Sequence, residues 1–175
     1  MNGNIVARPF SKFFNWEEYE GPLPNNDNEP FEVYEKMDGS LGIVYFVNDK
    51  PRIATRGNFD SQQSEWAMEM LDEKYTNVRF DLNITYLVEI IHPKNKIIVN
   101  YGNTRALILL GMIETKSGIE LPLEDIGLPL VKKYDDLSST DDDIRSLATR
   151  NEQNKEGFVV RYSSGLRFKV KLNKW

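Results

Sequence analysis

The sequence predicts an α+β fold built on antiparallel sheets with flanking helices. Three observations support it: short β-rich runs dominate the chain, most follow one another without an intervening helix, and only two segments show helical periodicity. The 175 residues, 40% hydrophobic and 28% charged, suffice for one domain with its own core. We therefore expect a single domain over residues 1–175.

Turn formers bound the predicted strands. The segment 21–30 (GPLPNNDNEP) predicts a loop before the first strand, and residues 48–50 and 163–165 predict hairpin turns. The predicted strands are 31–36, 41–47, 52–55, 85–91, 96–101, 106–113, 158–162 and 166–171.

Two segments predict helices. In residues 61–75 the apolar positions recur at helical spacing, and Ser61 is placed to cap the first turn. The second predicted helix runs from Thr140 to about Arg150, with three aspartates favouring its N-terminal dipole.

Composition excludes several classes of site. With no cysteine and one histidine, His92, neither a disulfide framework nor a thiolate or histidine-rich zinc centre is available. Carboxylate oxygens remain, which favour Mg²⁺ or Mn²⁺. No apolar run has the length of a membrane span and no signal pattern begins the chain, so we expect no membrane partner and a cytoplasmic location. The net charge of −5 argues against bulk electrostatic binding of nucleic acid, but not against a local basic site.

Lys36 lies at the end of an alternating strand, immediately before the Asp38-Gly39 turn. A lysine nucleophile must be neutral when it attacks, which requires burial or nearby positive charge. Lys36 could be such a nucleophile, held at a turn and directed into a cleft. A solvated lysine beside an ordinary hairpin turn explains this segment equally well.

Lys169 and Lys171 occupy alternate positions of the last strand, so both should project to one face, with Phe168, Val170 and Leu172 in the core. Two ammonium groups on one face repel each other unless an anion such as a triphosphate lies between them. The alternative is the polar outer face of an edge strand.

Two glutamates and an arginine add to the candidate site. Glu89 lies inside an apolar run, where a carboxylate is costly unless it is paired or binds metal. Glu156 precedes the apolar strand 158–162, and Arg56 beside Gly57 could bind a phosphate or a carboxylate. Arg8 and Lys12 form a basic-aromatic cluster with Phe13 and Phe14, which could equally be a hydrophobic anchor with two exposed cations.

Five elements in order, KMDG, TRG, YLVE, EGFVV and FKVK, resemble the covalent nucleotidyltransferase superfamily of ATP-dependent ligases and capping enzymes. The flanking stretches ARPFSKFFN, KMDGS and EIIHPKNKIIVNYG are similar to the RNA ligase 1 type of phages and related RNA ligases. The resemblance extends from Arg8 to Lys171. It implies a nucleotidyltransferase fold, with antiparallel sheets around a nucleotide cleft.

The resemblance also implies roles. Lys36 would attack the α-phosphate of ATP to form lysyl-AMP, and AMP would pass to an RNA 5′-phosphate that is then joined to a 3′-hydroxyl. Glu156, Lys169 and Lys171 would act with Lys36 in catalysis, and Glu89 and Glu156 would hold Mg²⁺ or Mn²⁺. Residues expected to contact the nucleotide are Arg8, Lys12, Glu35, Met37, Asp38, Arg56, Glu89, Tyr101, Lys169 and Lys171.

Because the family's N-terminal arginine segment and the C-terminal RNA-specificity or OB domain find no counterpart here, we expect an adenylation core, as a monomer. Two alternatives remain open. One is a DNA-ligase or capping-type transferase, and the other is a non-catalytic nucleotide- or RNA-end-binding module of the same fold.

Overall fold

The computed structural model describes residues 3–21, 29–135 and 141–172, without the side chains of 141–143 and 145. The chain divides into two compact units, each assembled from two separate stretches. The first unit joins Met1–Phe10 to Gly39–Leu130, and the second joins Ser11–Asp38 to Val131–Trp175. In its described residues each unit contains one sheet and one α-helix, and the predicted α+β class is confirmed. That the two units act as a single adenylation domain stays a prediction.

In the described parts of the chain the strands and α-helices follow in this order: β1 (Phe14–Asn15), β2 (Phe31–Lys36), β3 (Ser40–Val47), β4 (Lys50–Thr55), α1 (Gln62–Lys74), β5 (Ile84–Ile91), β6 (Ala106–Glu114), β7 (Glu120–Leu121), β8 (Lys133–Tyr134), α2 (Asp141–Thr149), β9 (Gly157–Tyr162) and β10 (Arg167–Lys171). Short 3₁₀ turns occupy Trp16–Glu18 and Pro93–Asn95. No helix in these ranges has the length and apolar character needed to span a bilayer.

The first unit is an antiparallel sheet in the order β4-β3-β5-β6-β7. Its central strand β5 is buried from Thr85 to Ile91. One face packs on α1 through Ala67, Met70 and Leu71. On β6, the ring of Phe10 lies where a side chain at Gly111 would project, so the N-terminal segment also packs on this sheet.

Local chemistry explains the elements of this unit. Ser61 caps α1 by accepting the N–H of Ser64 at 3.1 Å, as its position predicts. Asn48 and Asp49 connect β3 to β4 with positive φ values of 50° and 61°. Two such residues are typical of the turn that matches the twist of a tight hairpin.

The second unit is a sheet in the order β1-β10-β9-β2-β8, parallel between β1 and β10 and antiparallel elsewhere. One face is apolar and packs against α2 through Ile144 and Leu147. The opposite face carries charged side chains at alternate positions, which is the period-2 pattern of a half-buried strand. The predicted hairpin across residues 163–165 is confirmed between β9 and β10.

One predicted strand is wrong. Residues 96–101 form no strand, and the chain bends at 97–99. Val99 is buried, whereas Ile97 and Ile98 are 60% and 44% exposed. Both edges of β5 are already hydrogen-bonded to β3 and β6, so this apolar run serves as the β5–β6 connection. Most of the predicted loop 21–30, and Thr140 at the predicted start of the second helix, lie outside the described residues.

Candidate active site

The polar face of the second sheet aligns Lys36 with Lys171. Lys36 ends β2 opposite Gly157, and Lys171 ends β10 opposite the same glycine on its other side. Partners in an antiparallel pair project to the same face, so both lysines stand on one face with a glycine between them. Two strand spacings put their Cα atoms about 10 Å apart. The sheet register thus leaves room between two amines.

Glycine is required at position 157. An added Cβ would lie 2.1 Å from the carbonyl oxygen of Val170 and 3.0 Å from Cα of Lys171. The φ of +154° is also one that other residues rarely adopt. Glycine at position 157 therefore lets β9 approach β10 closely, and no side chain projects from this position between Lys36 and Lys171.

Glu156 makes an ion pair with Lys36. The two side chains are 10% and 16% exposed, so the pair is largely removed from bulk water. The backbone carbonyl of Glu156 also accepts the N–H of Leu172 at 3.2 Å, which ties this residue to the end of β10. The structure thus brings together two residues, 120 positions apart in sequence, that both belong to the predicted site.

Lys169 and Lys171 lie on the polar face, and Phe168, Val170 and Leu172 are buried with exposures of 0%, 1% and 5%. The predicted separation of the two sides of this strand is confirmed. The ammonium of Lys169 lies 5.2 Å from the ring centroid of Phe13, a distance typical of a cation–π contact.

A neighbouring charged cluster was not predicted. Glu32 accepts hydrogen bonds from Lys133 at 2.9 Å, Tyr34 at 2.8 Å and Arg161 at 3.2 Å. Burial opposes ionisation of Glu32, but these donors together lower its pKa. Burial, then the bond to Glu32, raises the pKa of Tyr34 to about 12. The alternation Glu32-Tyr34-Lys36 on β2 is the sequence signal that could have placed this cluster beside the site.

The N-terminal cations lie in different units. Lys12 is exposed, with its ammonium 5.3 Å from the ring centroid of Phe14 in the second unit. Arg8 belongs to the first unit, where its guanidinium donates to the carbonyl oxygens of Thr115 at 2.6 Å and Lys116 at 3.1 Å. Arg8 therefore binds the turn after β6, and its predicted nucleotide contact stays a prediction.

In the first unit, Glu89 is 8% exposed and accepts the N–H of Gly39 at 2.8 Å. This buried carboxylate thus has a hydrogen-bond partner, and its predicted role toward a metal or nucleotide stays a prediction. Position 39 must be glycine, since a Cβ there would lie 2.4 Å from the carbonyl oxygen of Ile90. Arg56 is exposed in the turn after β4, and Tyr101 is half-buried in the β5–β6 connection.

The remaining predicted nucleotide contacts surround Lys36 in sequence. Asp38 is 4% exposed, whereas Glu35 and Met37 are half-buried. The N–H of Glu35 donates to the carbonyl oxygen of Lys132 at 2.9 Å, which fixes the end of β2. Their roles toward a nucleotide stay predictions.

Among the described side chains, no group of three or more His, Asp or Glu residues is arranged to hold a metal ion. The carboxylates predicted for a metal, Glu89 and Glu156, each have a partner of their own, Gly39 and Lys36. Mg²⁺ is commonly held by one or two carboxylates together with phosphates and water, so either carboxylate by itself is a ligand of the kind that Mg²⁺ takes.

Comparison with known proteins gives a consistent result. The model of the RNA ligase family matches residues 1–175. A candidate RNA ligase of Thermovibrio ammonificans is 29% identical over 175 residues, covering 91% of this chain and 44% of the relative. The chain thus spans less than half the length of this curated relative.

Solved structures show the same fold. A variant of the Naegleria gruberi RNA ligase without ligand has a TM-score of 0.65 at 17% identity, covering 98% of this chain and 59% of that one. Another variant, solved with ATP and Mn, has a TM-score of 0.62 at 20% identity, covering 83% and 49%. With a family model that matches its full length, the chain belongs to the RNA ligase family.

Proposed function

We propose that this chain is the adenylation core of an ATP-dependent RNA ligase, in which Lys36 becomes covalently bound to AMP. The observation that carries the proposal is the arrangement of Lys36, Glu156 and Lys171 around Gly157 on one sheet face. Family membership and the ATP and Mn reported with the Naegleria gruberi enzyme support it.

In the proposed step, the neutral amine of Lys36 attacks the α-phosphorus of ATP. A nitrogen–phosphorus bond forms, the bond to the bridging oxygen of the β-phosphate breaks, and pyrophosphate leaves with that electron pair. As the bond forms, the attacking nitrogen releases one proton, which water accepts. Lys169 and Lys171 project from the same face as Lys36 and would stabilise the negative charge that develops on the phosphate oxygens.

Glu156 and Glu89 are the carboxylates that we propose for Mg²⁺ or Mn²⁺. When bound, the ion would supply charge neutralisation at the phosphates. Glu156 has a second role that needs no metal: its contact with the Lys36 ammonium orients the nucleophile before ATP arrives.

The proposal is tested by intact-mass spectrometry after incubation with ATP and MgCl₂. We expect a population heavier by one AMP in the wild-type chain and none in Lys36→Ala. Lys50→Ala is the matched control, because it removes an exposed lysine at the start of β4 in the other sheet. It should label as the wild type does.

Labelling that survives Lys36→Ala overturns the assignment of the nucleophile. Absence of labelling in the wild type, with the fold intact by circular dichroism, overturns the proposed function for this chain. That second result would favour the non-catalytic module.

We further propose RNA ends as partners, with AMP passed to a 5′-phosphate that is then joined to a 3′-hydroxyl. Offering 5′-phosphorylated single-stranded RNA and nicked DNA to the labelled protein tests this choice, since only the RNA should remove the label. GTP should not replace ATP, which separates this function from a capping-type transferase. A monomeric state and a cytoplasmic location stay predictions.

A further inference from the structure

The segment that leads into β1 joins the second sheet through its last strand in sequence, β10. Phe14 and Asn15 pair in parallel with Phe168 and Lys169. Paired residues project to the same face of a sheet, so Phe14 lies on the apolar face with Phe168. The residue before it, Phe13, therefore projects to the polar face, on the same side as the charged residues of β10.

The ring of Phe13 contacts two cations of that face. Its centroid lies 5.2 Å from Nζ of Lys169 and 6.0 Å from Cζ of Arg167. Both distances are in the range of cation–π attraction. Arg167 and Lys169 are two positions apart on β10, so their side chains leave the strand on the same side and one ring lies beside both.

Aromatic contacts on the apolar face fix the segment that carries Phe13. Trp16 and Tyr19 both meet the buried ring of Phe168 edge-on, at centroid distances of 5.1 and 4.8 Å. The ring of Phe14 lies 5.2 Å from that of Tyr19. Contacts of this kind stabilise a cluster beyond the area that it buries. Phe13 thus precedes a strand that is held firmly on β10, and its own ring is half-buried.

An aromatic ring holds an ammonium group differently from a carboxylate. Among the described side chains no carboxylate forms an ion pair with Lys169, whereas Glu156 pairs with Lys36. A carboxylate offsets the charge of the ammonium group beside it. The face of a ring attracts the ammonium group through its quadrupole and carries no net charge, so the full positive charge stays available to a phosphate.

We propose that Phe13 is a positioning residue for adenylation, which holds the ammonium group of Lys169 for its contact with the phosphates of ATP. The inference rests on the proposed function, in which Lys169 stabilises charge on the phosphate oxygens. A ring that only packed against the sheet would contribute to folding, and its electron distribution would not affect the reaction. A positioning ring contributes to the rate of the covalent step, because a displaced cation stabilises the developing charge less well.

Fluorination of the ring tests this role. Site-specific replacement of Phe13 by monofluoro-, difluoro- and trifluorophenylalanine weakens the attraction of the ring face for a cation in steps and changes the shape of the ring little. Single-turnover adenylation at saturating ATP should slow with each added fluorine, to about fivefold below the wild type in the trifluoro protein. Phe13→Leu removes the ring and should lower the rate by about tenfold.

Repeating the replacement in Lys169→Met identifies the cation that the ring holds. In that background trifluorophenylalanine should not lower the remaining rate further, because the ammonium group is gone. A further loss of about fivefold would assign the effect to another group and would overturn the inference. Phe59→Leu is the matched control, since its ring is 66% exposed in the first unit, and it should label at the wild-type rate.

Equal rates across the fluorinated series would overturn the inference while the wild-type protein still labels. A rate loss in Phe13→Leu without any effect of fluorination would give Phe13 a packing role and would overturn it as well. If the wild-type and Phe59→Leu proteins are folded and neither labels, the proposed function itself fails.

Discussion

Within the described residues, both sheets have five strands, but the two sheets bury their strands differently. In the first unit β5 is buried from Thr85 to Ile91, and its one carboxylate, Glu89, is held by a backbone N–H. In the second unit β2 and β10 bury one side and present charged residues on the other. A sheet covered on both faces fixes positions, whereas a sheet with a polar face can offer amines and carboxylates to a ligand. Substitutions in the first should therefore change stability, and those on the polar face of the second should change reactivity.

Gly157→Ala should destabilise the protein most, although Gly157 lies in the second sheet between the reactive lysines. The added methyl meets backbone atoms that cannot rotate away. We expect a loss of about 3 kcal/mol in the free energy of unfolding, measured by urea denaturation.

Gly165→Ala is the control for this variant. Gly165 has a φ of +90° but open space around it, so it should lose only about 1 kcal/mol of backbone strain. Equal losses at the two positions would show that the close approach of β9 and β10 is not what demands glycine at 157.

Removing positive charge from the polar face of the second sheet should lower the adenylation rate and leave stability nearly unchanged. Lys169→Met and Lys171→Met keep the side-chain stem and should lower the adenylation rate by about 100-fold, because they remove charge placed to stabilise the phosphate oxygens. Unfolding free energies should stay within about 0.5 kcal/mol of the wild type. Lys133→Met, which removes a cation paired with Glu32 on the same sheet, should label at the normal rate. A rate loss of similar size in Lys133→Met would mean that general surface charge matters, not the two positions.

In the first sheet, substitution of Glu89 should change the free energy of unfolding. Glu89→Ala leaves the Gly39 N–H without this acceptor and should cost about 1–3 kcal/mol of unfolding free energy. Glu89→Gln retains an oxygen that can accept this bond and should cost less. If Glu89→Ala and Glu89→Gln lost the same free energy of unfolding in a denaturant titration, the bond to Gly39 would contribute nothing to stability.

The smallest effect concerns pH. Burial, then the positive charges of Arg105 and Lys94, lowers the pKa of His92, opposed by Glu69. The unfolded chain therefore binds the proton more readily, and the free energy of unfolding should fall as pH decreases from about 7 through the lowered pKa of His92. His92→Asn keeps an acceptor for the Lys94 N–H. In this variant the free energy of unfolding should depend less on pH over the same range. If the free energy of unfolding changed with pH equally in His92→Asn and in the wild type, His92 would be excluded as the source of this pH dependence.

Sequence patterns predicted most of the second unit because its strands alternate strictly. Side chains alternate between the two faces of a strand, which was enough to place Lys169 and Lys171 on the same face. The Asp38-Gly39 turn was enough to end β2 at Lys36. The alternation could not give the register, which sets Lys36 and Lys171 opposite one glycine and brings Glu156 to Lys36. The register of β2 on β9 depends on pairing between strands separated by more than a hundred residues.

Predictions failed where local pattern and tertiary context disagree. The apolar run at 96–101 has strand composition, but β5 is already paired on both edges. The contact of the Arg8 guanidinium with two carbonyl oxygens of a distant turn has no local signal in the sequence.

We infer that the chemistry occurs on the polar face of the second sheet, at Lys36. Peptide mapping by mass spectrometry after incubation with ATP and MgCl₂ tests it most directly. We predict that AMP is found on the peptide containing Lys36, attached to that side chain through an acid-labile bond. AMP on a different lysine, or on none in a folded protein, would contradict the claim.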